Sequence, residues 1–287
     1  MPQNLTAVKK RISTISSTKK ITNSMKLVSS IKSRKLAREF NTNTEFYNEL
    51  VDLFNSAIYK DDYKNAAVLD SIYLNENSAT KNLYIVVLSN LGLCGSYNSE
   101  IYKYLKQKLT KDDELVFVGK KCFSYFKNEF KHYDNFIEIN HKRNIESINL
   151  LVKFLLDKYE TNEYKNIKIV YSHYVNSLAF KPSERQLLPL ELKVKKYSEG
   201  YEPIYESSKE QFIKGFIPHY LKNIILHSFI ESSLCEETNR RNSMDNANSN
   251  IDEIMEKLQI EYNKARQASI TQEITEIVSG ANAIKQD

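Results

Sequence analysis

Apolar side chains near the amino end recur every three or four residues. The seam consists of Leu5, Val8, Ile12 and Ile15, and we extend it through Ile21, Met25, Val28 and Ile31. A narrow apolar seam on a long helix is typical of a coiled coil, because a helix that packs on a globular core has a wider apolar face. Neither Pro nor Gly occurs in residues 3–91. We therefore predict one helix that runs to about Tyr59.

The carboxyl end repeats this pattern. Its seam consists of Ala247, Ile251, Ile254, Leu258, Tyr262 and Ala265 and, after a shift of phase, Ile270, Ile274, Ile277, Ala281 and Ile284. Gly280 is the only Gly or Pro after Pro218, so residues 219–285 are predicted to form one helix. Residues 238–250 are rich in Asn, Ser and Asp, and a loop between two helices is the alternative there.

The middle of the chain alternates between strand and helix patterns. Predicted strands are Leu83–Leu88, Glu114–Val118 and Ile167–Tyr171; predicted helices are Ser99–Leu109, 121–130 and Ile145–Tyr159. This order indicates an α/β layer with parallel strands. Leu190–Val194 alternates and reads as an edge strand or part of a hairpin. The fold class is thus α/β, with a Rossmann-like central domain between two long helices.

Charge is distributed unevenly, although the net charge is only +5. Residues 1–40 carry +9, residues 41–230 carry +1 and residues 231–287 carry −5. An antiparallel coiled coil would bury both seams and place the basic helix beside the acidic one. The alternative is that each helix packs separately on the middle domain. The predicted boundaries are 1–60 for the first helix, 61–205 for the α/β domain and 206–287 for the last helix.

The sequence gives little support for a membrane-spanning, metal-binding or nucleotide-binding protein. No stretch approaches the roughly 18 apolar residues of a membrane-spanning helix. Cys94, Cys122 and Cys235 are far apart and form no zinc-ligand spacing, so we expect reduced thiols in a cytosolic protein and no metal or cofactor. The loop after the first strand has two glycines, Gly92 and Gly95, but matches neither the dinucleotide fingerprint nor the Walker loop.

Three other interpretations of these features stay open at this point. Cys94 could act as a nucleophile, but no His or acid can be tied to it by sequence. The basic first helix could bind nucleic acid or anionic lipid, yet residues 1–39 contain no aromatic side chain for stacking or anchoring. We therefore expect a solvated face, or one that meets acidic protein loops, and no nucleic-acid partner. The same segment also has the composition of a transit peptide, against which its helical periodicity argues.

Four blocks of sequence carry a resemblance to a known family. They are Thr18–Val28, the Gly92-Leu-Cys-Gly95 loop with Tyr97-Asn98, Asn176 and Pro182 with Gln186–Leu190, and Met244–Ala247 with Tyr262–Gly280. Together they span nearly the whole chain, and the last block is long and specific. The chain resembles the γ subunit of the F-type ATP synthase, the central rotor shaft.

The resemblance implies a fold and a set of partners. In that family the terminal helices form an antiparallel coiled coil inside a ring of three α and three β subunits, and the α/β domain is a foot that contacts ε and the membrane c-ring. The subunit is non-catalytic: its rotation changes the conformations of three catalytic β subunits in turn. The implied location is peripheral, on the cytoplasmic face of the cell membrane.

The resemblance also implies contact residues. Arg266 and Gln267 match the pair that meets a β-subunit loop. Met25 and Lys26 match positions near the moving part of β, and Arg241 a further shaft contact. Near the upper bearing of the ring lie Gln272, Glu273, Thr275 and Glu276. The central loop is Gly92, Leu93, Cys94 and Gly95.

This chain departs from the family pattern at two places. Asn90 and Leu91 stand where the family commonly has an acidic and then a basic residue, so a charged contact by that loop is in doubt. The tail after Gly280 is more polar than the usual run of alanines. The alternative function is that of a γ-like subunit in a paralogous ATPase that drives another machine.

Overall fold

The computed structural model describes residues 5–59, 72–139, 145–190 and 209–284. In chain order the elements are α1 (Leu5–Tyr59), β1 (Asn82–Val87), α2 (Tyr97–Lys106), β2 (Glu114–Val118), α3 (Lys121–Phe126), β3 (His132–Tyr133), α4 (Ile145–Glu160), β4 (Asn166–Tyr174), β5 (Phe180–Leu188) and α5 (Lys209–Ile284). The predicted combination of two long terminal helices and a central α/β layer is confirmed.

The chain divides into two compact units, each containing parts of both long helices. The terminal unit comprises the described parts of Met1–Ser29 and Arg240–Asp287, and the central unit those of Ser30–Asn239. The predicted domain boundaries, 60/61 and 205/206, fall outside the described residues. The division into 1–60, 61–205 and 206–287 therefore stays a prediction.

The sheet of the central unit has the strand order β3-β2-β1-β4-β5. β1 pairs in parallel with β2 and with β4, and β2 pairs in parallel with β3, while β5 runs antiparallel to β4. Both faces of β1 are buried: Leu83 and Ile85 pack into one apolar cluster, Tyr84 and Val86 into another. Helices that cover both faces explain why this strand reads as a continuous apolar run.

The three predicted inner strands are confirmed with small changes of boundary. Glu114–Val118 is β2, Leu83–Leu88 overlaps β1, and Ile167–Tyr171 lies within β4. The predicted helices correspond to α2, α3 and α4, although α3 ends at Phe126 and not at residue 130.

Two strands were missed by the sequence analysis. β3 is only two residues long and β5 lies at the edge of the sheet, where its side chains are mostly half-buried and do not alternate. Pro182 within β5 is compatible with an edge position, since Pro cannot donate to a further strand. In the predicted edge strand Leu190–Val194, Leu190 follows β5 and is not in a strand, and the other residues lie outside those described.

Both long helices are continuous. α1 extends to Tyr59 as predicted, and residues 238–250 are helical despite their composition. The predicted start of α5 after Pro218 was wrong, because the helix begins at Lys209 and accommodates this proline internally. Although Pro lacks one backbone donor, packing of the surrounding turns outweighs its intrinsic preference here: Ile217 and Leu221 are fully buried.

Within the central unit, α1 and α5 run antiparallel and pack through aromatic side chains. The ring of Phe54 stacks on Tyr220 at 4.5 Å and on Phe216 at 5.6 Å. Farther along α5, the ring centres of His227 and Tyr47 are 4.6 Å apart, and His227 Nε2 lies 3.2 Å from the Thr44 hydroxyl. Contacts nearer the start of α1 are made by residues farther along α5. The two helices are therefore antiparallel here, as predicted.

α5 is also joined to the sheet and to α2 by buried polar groups. The carboxylate of Glu231, which is 1% exposed, accepts hydrogen bonds from the Tyr174 amide at 3.1 Å and from His173 Nδ1 at 2.5 Å. The Ser232 hydroxyl lies 2.7 Å from the Tyr97 hydroxyl of α2. Directional bonds of this kind resist rotation of the helix about its own axis relative to the sheet.

His227 generates a prediction about stability and pH. Burial, with the positive charges of Arg185 and His173, lowers the pKa of His227 to about 4 from its ordinary 6.5. As pH falls, the imidazole of His227 therefore becomes protonated at a higher pH in the unfolded chain than in the folded chain. The free energy of unfolding consequently decreases as pH falls from 6.5 towards 4. The loss attributable to this group is on the order of 3 kcal/mol.

Urea unfolding of wild type and His227→Gln across this pH range measures the effect. The variant is expected to lack the histidine-dependent part of the decline. Identical pH dependence in the two proteins would contradict the assignment.

Candidate partner-contact site on the terminal helices

The seam between α1 and α5 in the terminal unit is polar at its centre. The Thr22 hydroxyl donates a hydrogen bond to the side-chain carbonyl of Asn248, whose amide donates to Asn23 at 2.8 Å. Asn248 is only 7% exposed. Lys19 pairs with Asp252 on one side of this centre and Lys26 with Asp245 on the other. The predicted pairing of the basic helix with the acidic one is present at these residues.

The predicted apolar seam of α1 was wrong beyond Ile15. Ile21, Val28 and Ile31 are 61%, 51% and 60% exposed, and only Met25 is half-buried. The alternating steps of four and three residues that begin at Val8 lead instead through Lys19, Thr22, Lys26 and Ser29. A regular heptad phase therefore turns Thr22 and Ser29 towards α5, with Lys19 and Lys26 at the margin of the seam, and leaves Ile21 and Val28 outside.

The exposed apolar side chains of α1 form a feature that the sequence analysis misassigned. Ile21 and Val28 are seven residues apart and share one helix face, and Leu27 beside them is 63% exposed. Leu27 was not singled out at all. The heptad spacing could have revealed this exposed face. Alternating steps of four and three residues from Val8 exclude Ile21, Leu27 and Val28 from the seam.

On α5 the seam is partly as predicted. Ile251 and Leu258 are buried at 8% and 3%, but Ile254 is 42% exposed. The predicted continuation is not a buried seam, since Ile270, Ile274 and Ile277 are 43%, 56% and 70% exposed. Every described side chain from residue 270 to residue 281 is exposed.

The predicted contact residues near the end of α5 all face solvent. Arg266 and Gln267 are exposed. The others bond along the helix: Gln272 to Glu276 at 2.9 Å, Ser269 to Glu273 at 3.3 Å, and Thr275 to the Thr271 carbonyl at 2.8 Å. Bonds of this i to i+4 kind are weak at an exposed surface, so a partner can exchange them at little cost.

The remaining predicted contact residues are more constrained. Lys26 is engaged by Asp245, so its ammonium group already serves the pairing of the helices. Arg241 is half-buried and its guanidinium donates to the Asn242 side chain at 3.4 Å. The structure thus distributes the predicted residues over several turns of α1 and α5 and does not gather them into one pocket.

The central loop between β1 and α2 is held by one buried side chain. Asn98 accepts a hydrogen bond from the Ser89 amide at 3.0 Å and donates to the Ser89 hydroxyl at 2.8 Å and to Cys94 Sγ at 3.3 Å. Leu93 and Gly95 adopt positive φ angles of 63° and 58°. This geometry turns the chain sharply enough to bury Cys94, which acts as packing beneath the loop.

The outer surface of this loop is apolar. Leu91 and Leu93 are 68% and 63% exposed, and Gly92 between them is half-buried. Asn90, the other departure from the family pattern, accepts a hydrogen bond from the Lys120 amide at 3.1 Å. The loop therefore presents leucine side chains where the family commonly has a charged pair.

Across residues 5–59, 72–139, 145–190 and 209–284, no group of three or more His, Cys, Asp or Glu side chains is placed to hold a metal ion. Among the same residues, no helix combines the length and apolar character needed to span a membrane.

Comparison with known proteins identifies the family. The family model described as ATP synthase matches residues 4–284. The chain is 36% identical to the ATP synthase gamma chain of Mycoplasma capricolum subsp. capricolum, covering 97% of this chain and 98% of the relative. It is 35% identical to the ATP synthase gamma chain of Malacoplasma penetrans, covering 97% and 98%.

Solved structures match at the level of the fold. The rotor of the Euglena gracilis mitochondrial ATP synthase superposes with a TM-score of 0.67 at 18% identity, covering 94% of this chain and all of the other. The central stalk and c-ring structure from Tetrahymena thermophila matches with a TM-score of 0.55 at 20% identity, covering 79% and 99%. Sequence and fold agree, and the chain belongs to the ATP synthase gamma chain family.

Proposed function

We propose that this chain is the central-stalk rotor of an F-type ATP synthase and couples its own rotation to the conformational cycle of three catalytic β subunits. The observation that carries the proposal is the end of α5, where every described side chain from residue 270 to residue 281 is exposed. Exposed isoleucines among them, Ile274 and Ile277, are the kind of surface that a partner covers. A ring of α and β subunits around the helix would supply that cover.

The proposed mechanism is physical. A shaft without threefold symmetry meets each of three equivalent β subunits with a different surface, so each shaft angle stabilises a different conformation of each subunit. A change of shaft angle then shifts the nucleotide affinity of each site, and by reciprocity sequential hydrolysis turns the shaft. The directional bonds of Glu231 to the sheet and of Ser232 to α2 support the transfer of torque between α5 and the central domain.

The gamma chain is a subunit of the ATP synthase complex, and we propose that this one is non-catalytic. The partners are then the three α and three β subunits around the shaft, with ε and the membrane c-ring at the central domain. The complex would lie on the cytoplasmic face of the cell membrane. The Tetrahymena assembly, which contains both a central stalk and a c-ring, supports the last of these partners.

The contact residues are proposals of the same kind. Arg266 and Gln267 would meet a β-subunit loop, and Gln272, Glu273, Thr275 and Glu276 would lie at the upper bearing. Met25, Lys26 and Arg241 would contact the ring lower on the shaft, and the loop Gly92–Gly95 would make a partner contact through its leucines. The alternative, a subunit of a paralogous ATPase, is not favoured by relatives named as ATP synthase gamma chains.

Reconstitution tests the proposal directly. The purified chain is expected to hydrolyse no ATP, whereas its addition to the α and β subunits should raise the hydrolysis rate of the ring. The control is the same mixture with the chain heat-denatured beforehand. An unchanged rate, together with no copurification of α and β, would contradict the rotor function.

A double variant tests the proposed β contact. Arg266→Ala with Gln267→Ala should lower coupled turnover about fivefold or more, because differential contacts set the coupling free energy. Since both side chains are exposed, the free energy of unfolding should change by less than about 0.5 kcal/mol. The matched control, Lys111→Ala with Asp112→Ala, alters an exposed turn of the central unit. Equal turnover in both double variants would refute the contact.

A further inference from the structure

A pocket of about 390 Å³ opens in the central unit between the β4–β5 edge of the sheet and the two long helices. Tyr171 and Arg185 line it from the sheet, Tyr47 from α1 and Tyr220 from α5. Its volume lies in the range of sites for small molecules. The pocket belongs to neither the predicted contact residues nor the loop after β1.

Arg185 is the chemically distinctive group in this pocket. Its guanidinium carbon lies 5.0 Å from the ring centre of Tyr47 and 5.5 Å from that of Tyr171, and Nη2 donates to the Tyr171 hydroxyl at 3.0 Å. Nη1 is buried and has no acceptor among the described residues. A buried donor on a charged group is costly unless an acceptor satisfies it.

The nearby carboxylates already have other partners. Glu184 is paired with Lys108 at 3.0 Å and with Lys168 at 3.5 Å. Behind the pocket, Glu231 is bonded to His173. Arg185, by contrast, forms no ion pair with a carboxylate of the described residues, so its charge is available to a ligand in the pocket.

The fork of a guanidinium group matches the geometry of phosphate and carboxylate oxygens, and it binds them bidentately when the site excludes water. Two tyrosine rings hold this fork in place, which reduces the side-chain entropy that binding would otherwise cost. Lys168 also lines the pocket, but it is paired with Glu184, so the charges of these two side chains offset each other.

We propose that this pocket binds a small oxyanion of phosphate or carboxylate chemistry, with Arg185 as its principal donor. The site is distinct from the proposed rotor contacts and does not depend on them. Its occupation would strengthen the packing of β5 against α1 and α5, because the residues around the ligand come from all three elements.

Calorimetric titration of the full-length chain with inorganic phosphate tests the proposal, with ionic strength held constant by chloride. Saturable binding at one site is expected, and Arg185→Gln should weaken it at least about tenfold. A parallel titration with succinate distinguishes a phosphate preference from a carboxylate preference. The matched control is Lys103→Gln, which removes one exposed positive charge on α2 and should bind like wild type.

Two results would overturn the proposal: no saturable binding of either anion, or equal affinity in wild type and Arg185→Gln. If Arg185→Gln does not unfold cooperatively, Arg185→Lys replaces it. That variant keeps the charge but loses the fork, and it should also bind about tenfold more weakly. Unchanged affinity in the lysine variant would equally contradict the assignment.

Discussion

The polar pairing of α1 with α5 around Asn248 is the constraint on which the terminal unit depends. A buried asparagine that bonds to Thr22 and Asn23 contributes little net stability, but it is satisfied in one register only. The ion pairs of Lys19 and Lys26 flank it, and their exposed side chains add little energy. The pair of helices is thus aligned by polar groups at its centre, while Ile21, Leu27 and Val28 of α1 remain exposed.

A self-sufficient coiled coil would expose less apolar surface than this helix pair does. Ile21, Leu27 and Val28 on α1 and Ile274 and Ile277 on α5 expose apolar surface that an isolated helix pair would gain by burying. A seam that is polar at its centre, with apolar side chains exposed beside it, makes sense if a larger assembly surrounds the helices. In the central unit, by contrast, aromatic stacking and the buried bonds of Glu231 fasten α5 to a sheet that is covered on both faces.

Much of the fold follows from patterns within the sequence. The segments Leu83–Leu88, Glu114–Val118 and Ile167–Tyr171 correspond to inner strands that are almost entirely buried, so their apolar runs predicted strands. The edge strand β5 was not predicted, because most of its side chains are half-buried and apolar and polar residues do not alternate along it. The course of the α1 seam was misjudged because apolar residues were assumed to face inward, whereas Thr22 and Ser29 occupy the interface through heptad geometry. Pocket residues such as Arg185 and Tyr47 are far apart in sequence, and only the folded chain brings them together.

Observation of rotation in single reconstituted complexes would test the central claim most directly. The three cysteines of the chain are buried, so Lys111→Cys in an exposed turn offers a selective site for attaching a bead. With the α and β subunits held on a surface, the account predicts that ATP hydrolysis turns the bead in one direction, with three preferred dwell positions per revolution. Sustained hydrolysis by complexes whose attached bead does not rotate would contradict it.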